Sequence, residues 1–346
     1  MFDRAAPSSD SVLLVVSIDT EEDNWNRNRR NVTVENIGEL RRLAVVFDRL
    51  GVRPTYFTAY QVAMDPRAAD VVRDVCDGGR GEIAAHLHPW NTPPLKETYV
   101  PRHSMLKNLP RELQLAKIQR LTETLEGAFD LTPRAFRAGR YGFGSDTVRA
   151  LLRCGYRVDS SVTPFLNLQA FDGGPNFVGA PIVPYRLAPD SDVRQPAADG
   201  ALLEIPLSLG FNRSPFSLWD PVRRLLEGAP FRWFHLAGVA HRTGLLKRIG
   251  LSPELASVDE MLTVSRRLLQ EGVPYLHVSW HSPTLKPGLS PYAATVADVE
   301  RLYASVEAYV EGLARITSVK FATVSEAASL LAQSLLSPTA RQVATC

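Results

Sequence analysis

Apolar positions along the chain follow two alternating rhythms. Short runs that are apolar or β-branched almost throughout, residues 12–18 (VLLVVSI) and 55–59 (TYFTA), have the length and content of strands. Between them, residues 35–50 carry leucine, valine and phenylalanine at helical spacing. The alternation continues with a helix near 68–76, a strand at 82–85, a helix at 112–129, a strand at 135–137, a helix at 146–154 and a strand at 156–159. Further strands are expected at 202–205, 275–280 and 319–322, and helices at 259–270, 294–313 and 325–336. Strands alternating with helices predict an α/β fold, a mainly parallel sheet with helices outside, either open and doubly wound or closed into a barrel. In both arrangements chemistry gathers where strands end. Asp19 follows the first strand, His86 the one at 82–85, Asp159 closes the one at 156–159, and His281 ends the one at 275–280.

Two stretches break this rhythm. Residues 172–200 are rich in Gly, Pro and Asp and read as a long loop or small hairpin. Residues 211–250 mix Trp219, Phe231, Trp233 and Phe234 with Arg213, Arg223, Arg224, Arg232, Arg242, Lys247 and Arg248, against Asp220 and Glu227 alone, leaving a local net charge of plus five. The expectation is one domain over residues 1–346 with 172–250 as an insertion and a flexible tail at 337–346. The insertion reads as a lid over the mouth where the strands end, as an amphipathic patch contacting anionic lipid or a phosphate-bearing substrate, or as a solvated helical excursion.

Composition narrows the function classes. The chain has 346 residues, 45% hydrophobic and 22% charged, enough apolar material for a substantial core. Its 39 Lys and Arg against 37 Asp and Glu give no global reason to expect nucleic acid as a partner. Cys76, Cys154 and Cys346 form no CxxC pair and read as reduced thiols rather than a disulfide or metal framework. The first ten residues lack a basic region followed by a long apolar stretch, and no run approaches the roughly 20 apolar residues that span a bilayer. The expectation is a soluble, by default cytoplasmic, protein.

The candidate chemistry lies in two short patterns. In His86-Leu87-His88 alternate residues of an extended segment point the same way and can share one metal ion, or they form a polar turn beside Pro89 and Trp90. The first strand ends in residues 17–23, SIDTEED, which supplies a third ligand and a general base or is simply a solvated acidic turn.

Taken in order, these and three further motifs resemble the polysaccharide deacetylase family, the NodB-homology group of carbohydrate esterases. The acidic motif is matched by Asp19-Thr20-Glu21, and the histidine motif after a Gly-rich turn by residues 78–90, GGRGEIAAHLHPW. An arginine followed by an aromatic and a glycine is matched by residues 136–142, FRAGRYG. Residues 155–161, GYRVDSS, look like the fourth motif, and 278–282, VSWHS, like the late histidine motif. The resemblance runs from about residue 12 to 335 and is weakest over 172–250. Two departures stand out: the family's second histidine falls four residues after the first, where this chain has Trp90, and its adjacent Asp pair is spaced here as Asp19-x-Glu21.

The resemblance implies a distorted (β/α) barrel of about seven strands and metal-dependent hydrolysis of the N-acyl amide, N-acetyl first, of an amino sugar in a glycan, a lipid-linked precursor or a sugar-containing metabolite. Glu21, His86 and His88 would hold the metal. Nitrogen and carboxylate donors without thiolate suit zinc, with cobalt, nickel, iron or manganese as alternatives. Asp19 would be the base, with its role exchangeable with Glu21, or Asp23 standing in for Glu21. Arg137 would orient Asp19 or form a structural salt bridge. His281 would be the acid, with Asp159 hydrogen-bonded to it and raising its pKa, and backbone N–H groups near Arg140 and Tyr141 would face the oxyanion. His277 reads as deeper on the face of His281. Trp25 and Trp90 stack on a sugar or pack. The other readings are a deformylase or non-sugar amide hydrolase with the same site, and a glycan-binding protein without turnover.

Overall fold

The computed structural model describes residues 11–25, 32–228, 238 and 242–336. The strands are β1 (Ser11–Thr20), β2 (Thr55–Ala59), β3 (Glu82–Leu87), β4 (Ala135–Ala138), β5 (Val158–Asp159), β6 (Tyr185–Leu187), β7 (Leu202–Glu204), β8 (Leu209–Phe211), β9 (Arg248–Gly250), β10 (Tyr275–His281) and β11 (Ser318–Ala322). The helices are α1 (Leu40–Leu50), α2 (Tyr60–Met64), α3 (Pro66–Cys76), α4 (Arg111–Phe129), α5 (Ser145–Arg153), α6 (Phe216–Glu227), α7 (Val258–Gln270), α8 (Val296–Ala314) and α9 (Val324–Leu336).

Nine strands form one curled, half-barrel sheet in the order β10-β1-β2-β3-β4-β5-β7-β6, with β11 along the first half of β1 on the edge that β2 takes along its second half. Eight of the nine run parallel. The ninth, β6, is antiparallel to β7 and comes from the Gly- and Pro-rich stretch, so the sheet has nine strands rather than about seven. β8 and β9 pair with each other, and through them the chain leaves for the basic, aromatic excursion and returns. Phe231, Arg232, Trp233 and Phe234, and the tail at 337–346, lie outside the described residues.

The two faces of β1 explain why all but its first residue are buried. Leu14 and Val16, with Val278 and Trp280 of β10, meet Phe47 of α1, Met261 of α7 and Tyr309 of α8 on the convex side. The alternate residues, Ser17 and Asp19 of β1 with His277 and Ser279 of β10, turn into the concave side, because successive strand side chains point to opposite faces. That inner polar ladder leads to the site. The helices outside end at defined points: Gly51 adopts the left-handed conformation (φ 72°) that lets its N–H close α1, and capping boxes at Ser257/Glu260 and Thr295/Asp298 start α7 and α8.

Candidate metal centre and active site

The registers of four strands assemble the candidate residues. Asp19 on β1 is paired with His281 on β10, and His86 on β3 with Arg137 on β4, all at the C-terminal end of the sheet. Beyond β1 the chain is pinned by the Glu21 N–H donating to Ser282 Oγ at 3.1 Å, which fixes where the next carboxylates fall.

Glu21 meets both histidines. Its Oε2 lies 3.1 Å from His86 Nε2 and 3.0 Å from His88 Nε2, and the two ring nitrogens are 3.1 Å apart. Their far nitrogens settle the tautomers. His86 Nδ1 faces the Arg137 carbonyl at 3.1 Å, an acceptor only, so Nδ1 carries the hydrogen. His88 Nδ1 faces the Glu22 carboxylate at 2.8 and 3.0 Å and carries its hydrogen there. In the neutral rings, therefore, two imidazole lone pairs and a carboxylate oxygen converge with no proton between them. Such a point requires a cation. Without a metal it takes a proton: burial opposes charge on His88, but Glu22 and Glu21 push its pKa up to about 10. Burial raises the Glu21 carboxyl, and His88 and His86 override it and hold it well below the ordinary range. Carboxylate or carbonyl behind each histidine, with both Nε2 atoms inward, is the supporting arrangement of a metal-ligating histidine pair, so the donor set fits a divalent ion.

Asp19 stands apart from this cluster. Its Oδ1 accepts from Arg137 Nη1 at 2.5 Å, and Arg137, fully buried, also donates to Ser279 Oγ (2.9 Å), Ser160 O (2.9 Å) and Ser160 Oγ (3.1 Å), with its guanidinium 4.1 Å over the Phe57 ring. His277 lies deeper on the same face, its Nε2 2.8 Å from Ser17 Oγ and 3.3 Å from Arg137 Nη2. Burial first, then the Arg137 charge, holds its pKa well below the ordinary histidine value, so it sits neutral under the arginine. Asp23 faces away, accepting from the backbone of Glu35 and Asn36.

The partner expected behind His281 is not Asp159. That carboxylate, wholly buried on β5 between β4 and β7, accepts from Ser161 N and Oγ at 2.8 and 3.0 Å and opposes Glu204 in register. Burial raises its pKa to about 7 and raises that of Glu204 further, so the two carboxyls hold a proton between them. Both oxygens of Asp159 are thus engaged at Ser161, on the far side of Arg137 from β10, and neither meets His281. Glu254 takes the role. Its Oε2 lies 2.8 Å from His281 Nδ1, while Oε1 accepts from the His281 backbone at 3.1 Å and from Thr284 Oγ1. Burial lowers the His281 pKa, and Glu254, followed by Glu21 and Asp19, lifts it to about 10. His281 is 27% exposed at the side chain, with its ring edge against Trp25 at 5.0 Å.

No family model and no curated protein matches the chain. Solved structures do. A Mycobacterium smegmatis protein provisionally described as a polysaccharide deacetylase is 17% identical and superposes with a TM-score of 0.52, the match covering 97% of this chain and 95% of that one. The chain has the polysaccharide deacetylase fold. A family 4 carbohydrate esterase from Streptomyces lividans, solved with acetate, is 13% identical over 90% of this chain and 93% of that one, with a TM-score of 0.42. A CE4 family pseudoenzyme from Bacillus anthracis is 12% identical over 91% and 65%, with a TM-score of 0.41.

On this polysaccharide deacetylase fold, the position where the family motif has its second histidine holds Trp90, and its job here is support. Trp90 is buried, stacks on His88 at 4.1 Å between centroids, and donates from Nε1 to Glu22 Oε1 at 3.2 Å. It packs rather than offering a face to a sugar. The backbone behind it is clamped by the buried Lys117, whose Nζ donates to the carbonyls of Pro89, Thr92 and Pro94 at 2.7–2.9 Å. Gly139 lets the third motif close on His88, since a Cβ there would meet Leu87 O at 2.8 Å and His88 Cδ2 closer still. Arg140 and Tyr141 follow with φ of 53° and 57°, a left-handed pair at the cavity wall. Trp25 donates from Nε1 to Glu21 Oε1.

Asp19, Glu21, His86, His88 and His281 line one cavity of about 450 Å³. A larger cavity of about 860 Å³, around Glu35, Arg41, Asp65 and Arg67, gathers no ligand set of this kind among the described residues. Five cations of the 211–250 excursion are engaged within the chain: Arg213 with Leu245 O, Arg223 and Arg248 with Glu227, Arg224 with Asp220, and Lys247 with Glu260. No helix among the described residues is long and apolar enough to cross a membrane.

Proposed function

We propose that the protein is a metal-dependent hydrolase that removes the acyl group, acetyl first, from an N-acylated amino sugar. The observation that carries this reading is the convergence of Glu21, His86 and His88 lone pairs on one point, in a cavity that Asp19 and His281 enter from neighbouring strands. A divalent ion, zinc first by its donor set, would supply there the polarisation of the amide carbonyl and the acidification of water from a pKa of about 16 to roughly 7. Asp19 accepts the proton of the attacking water, and Arg137 holds that carboxylate in place. As the C–N bond breaks, the amine leaves only with a proton, which His281 Nε2 donates while Glu254 holds the opposite ring nitrogen. The acyl carbon gains the water oxygen, the nitrogen gains the His281 proton, and the products are a carboxylate and a free amine. Arg140 and Tyr141, left-handed at the cavity wall, would offer backbone N–H groups to the oxyanion. A protein that only binds glycans needs neither Asp19 nor His281.

The test is acetate release by the purified protein from N-acetylglucosaminides, with elemental analysis alongside. The expected result is about one divalent ion per chain and hydrolysis abolished by a chelator and restored by added zinc. A protein that takes up no metal and releases no acetate overturns the reading.

A further inference from the structure

The walls of this cavity offer little to a chain of sugars. Beyond the metal and proton-transfer groups, Arg140 is the one Lys or Arg among the described lining residues, and it is already bound to Asp172 Oδ2 at 2.7 Å and to Ser104 Oγ. What the described rim residues present is mainly apolar. Phe171, Leu255 and Tyr292 are 62%, 65% and 41% exposed and all line the cavity. Side chains of that size left in water together at the mouth of a site mark a surface built to be covered.

Each of the three is held there by backbone tied to the site. Phe171 sits at the tip of a braced turn: its N–H donates to Leu168 O at 2.9 Å, Gly174 N–H donates to Phe171 O at 3.0 Å, and Asn108 Nδ2 donates to the carbonyls of Asp172 and Gly173. The same turn supplies Asp172 to Arg140. Leu255 follows Glu254, the residue fixed to His281, and its N–H donates to Ser252 O at 3.1 Å. Tyr292 is parallel to the His281 ring at 6.4 Å and edge-on to Trp25 at 5.9 Å, with its N–H donating to Ser290 Oγ at 3.2 Å. Three separate segments thus turn apolar side chains toward the space beside the reacting atoms.

From this arrangement we infer that the substrate carries an uncharged apolar group, an alkyl or aryl aglycone, next to the reacting N-acylamino sugar, and that Phe171, Leu255 and Tyr292 receive it. The inference rests on the hydrolase reading above and narrows it from amino sugars in general to apolar-tailed ones. A further sugar would place hydroxyl groups against the Phe171 and Leu255 side chains, which have no donor or acceptor to replace their water, whereas an alkyl chain gains about fourfold in binding per buried methylene.

Two measurements separate the outcomes. The first compares kcat/KM for methyl, butyl and octyl 2-acetamido-2-deoxyglucosides, below their critical micelle concentrations, with N-acetylated chito-oligosaccharides, in the zinc-loaded protein. The expected result is a rise from methyl to octyl on the order of tenfold or more, oligosaccharides no better than the methyl glycoside, and an octyl-to-methyl ratio that collapses in Phe171→Ser and Leu255→Ser. The second titrates metal-free protein with octyl glucoside and follows tryptophan fluorescence, expecting saturable quenching that the Phe171→Ser/Leu255→Ser variant weakens at least severalfold. Hydrolysis of all substrates with no dependence on tail length, or a preference for oligosaccharides, overturns this inference and leaves the hydrolase reading standing. Saturable binding of the tailed sugar with no hydrolysis of any substrate overturns the hydrolase reading.

Discussion

His88 and His281 stand at the two ends of the strand row β3-β2-β1-β10, each with its Nδ1 at 2.8 Å from a buried carboxylate, Glu22 behind the first and Glu254 behind the second. In both, burial works against the charge, the carboxylates outweigh it, and the pKa is pushed up to about 10. What differs is what faces Nε2. His88 Nε2 looks at a second imidazole nitrogen and at Glu21 Oε2, both about 3 Å away, so its proton occupies the spot where a cation is wanted. His281 Nε2 has no acceptor among the described residues and opens to the cavity, so its proton is free to be handed on. A carboxylate behind a histidine raises its basicity in either case. On the proposed reading, the groups in front decide whether that basicity serves a metal or a leaving group.

The sharpest way to break this comparison is at the metal side. His88→Ala removes one of three donors, and the bound ion is expected to fall from about one per chain to near zero after dialysis, with activity lost by a factor on the order of a thousand or more. Glu22→Gln keeps all three donors and removes only the charge behind His88. If the supporting carboxylate matters as argued, metal affinity measured by chelator competition drops roughly 10- to 100-fold, while His88 stays in place. A Glu22→Gln protein that binds metal like the parent would make Glu22 a bystander.

Much of this was legible in the sequence, and the parts that were not share a cause. All eight parallel strands and the major helices follow from short, mostly apolar runs and 3.6-residue spacing, because those patterns report burial that the element itself enforces. His86-x-His88 and Asp19-x-Glu21 are visible because their spacing is local to a strand end. Glu254 is not. It sits in the loop between β9 and α7 and reaches His281 only because Leu251 O accepts from Ser279 N–H at 3.0 Å, laying that loop along β10. No spacing rule connects residues that far apart, and a buried Asp at the end of a strand, Asp159, looked the better partner. Glu22 was in plain view inside SIDTEED, but its neighbours Glu21 and Asp23 point elsewhere only once the chain is folded. β6, β8 and β9 lie within or at the edge of the two stretches, 172–200 and 211–250, where Gly, Pro and Arg break the apolar pattern, so no run marks them.

The acid side can be tested without touching the metal. A general acid must be protonated, so activity is retained until the pH rises through the His281 pKa and falls above it. Glu254→Gln removes the main charge holding that pKa near 10 and lets it drop toward or below the ordinary 6.5. The descending limb of the pH–rate profile should then move to lower pH, with kcat/KM down about tenfold or more at pH 8 and much less at pH 6. An unmoved alkaline limb would mean that His281 is not the acid or that Glu254 does not tune it.

Asp159 supplies the matching control with the smallest expected effect on rate. Because it faces Ser161 and Glu204 rather than His281, Asp159→Asn should leave the alkaline limb where it is, and a shift like that of Glu254→Gln would put the charge network in the wrong place. Its signature belongs to stability instead. A carboxyl whose pKa is raised from 3.8 to about 7 in the folded state keeps a proton that the unfolded chain has given up. The folded state therefore binds more protons across that window, and its stability is greatest below about pH 4 on this account and declines as pH rises through 7. For a fully buried pair the decline is on the order of 2–4 kcal/mol. Denaturant unfolding at a series of pH values should show it in the parent protein and show it flattened in the Asp159→Asn/Glu204→Gln variant, while Glu254→Gln keeps it. The two carboxylate sites would then separate cleanly, one read in the rate and the other in the fold.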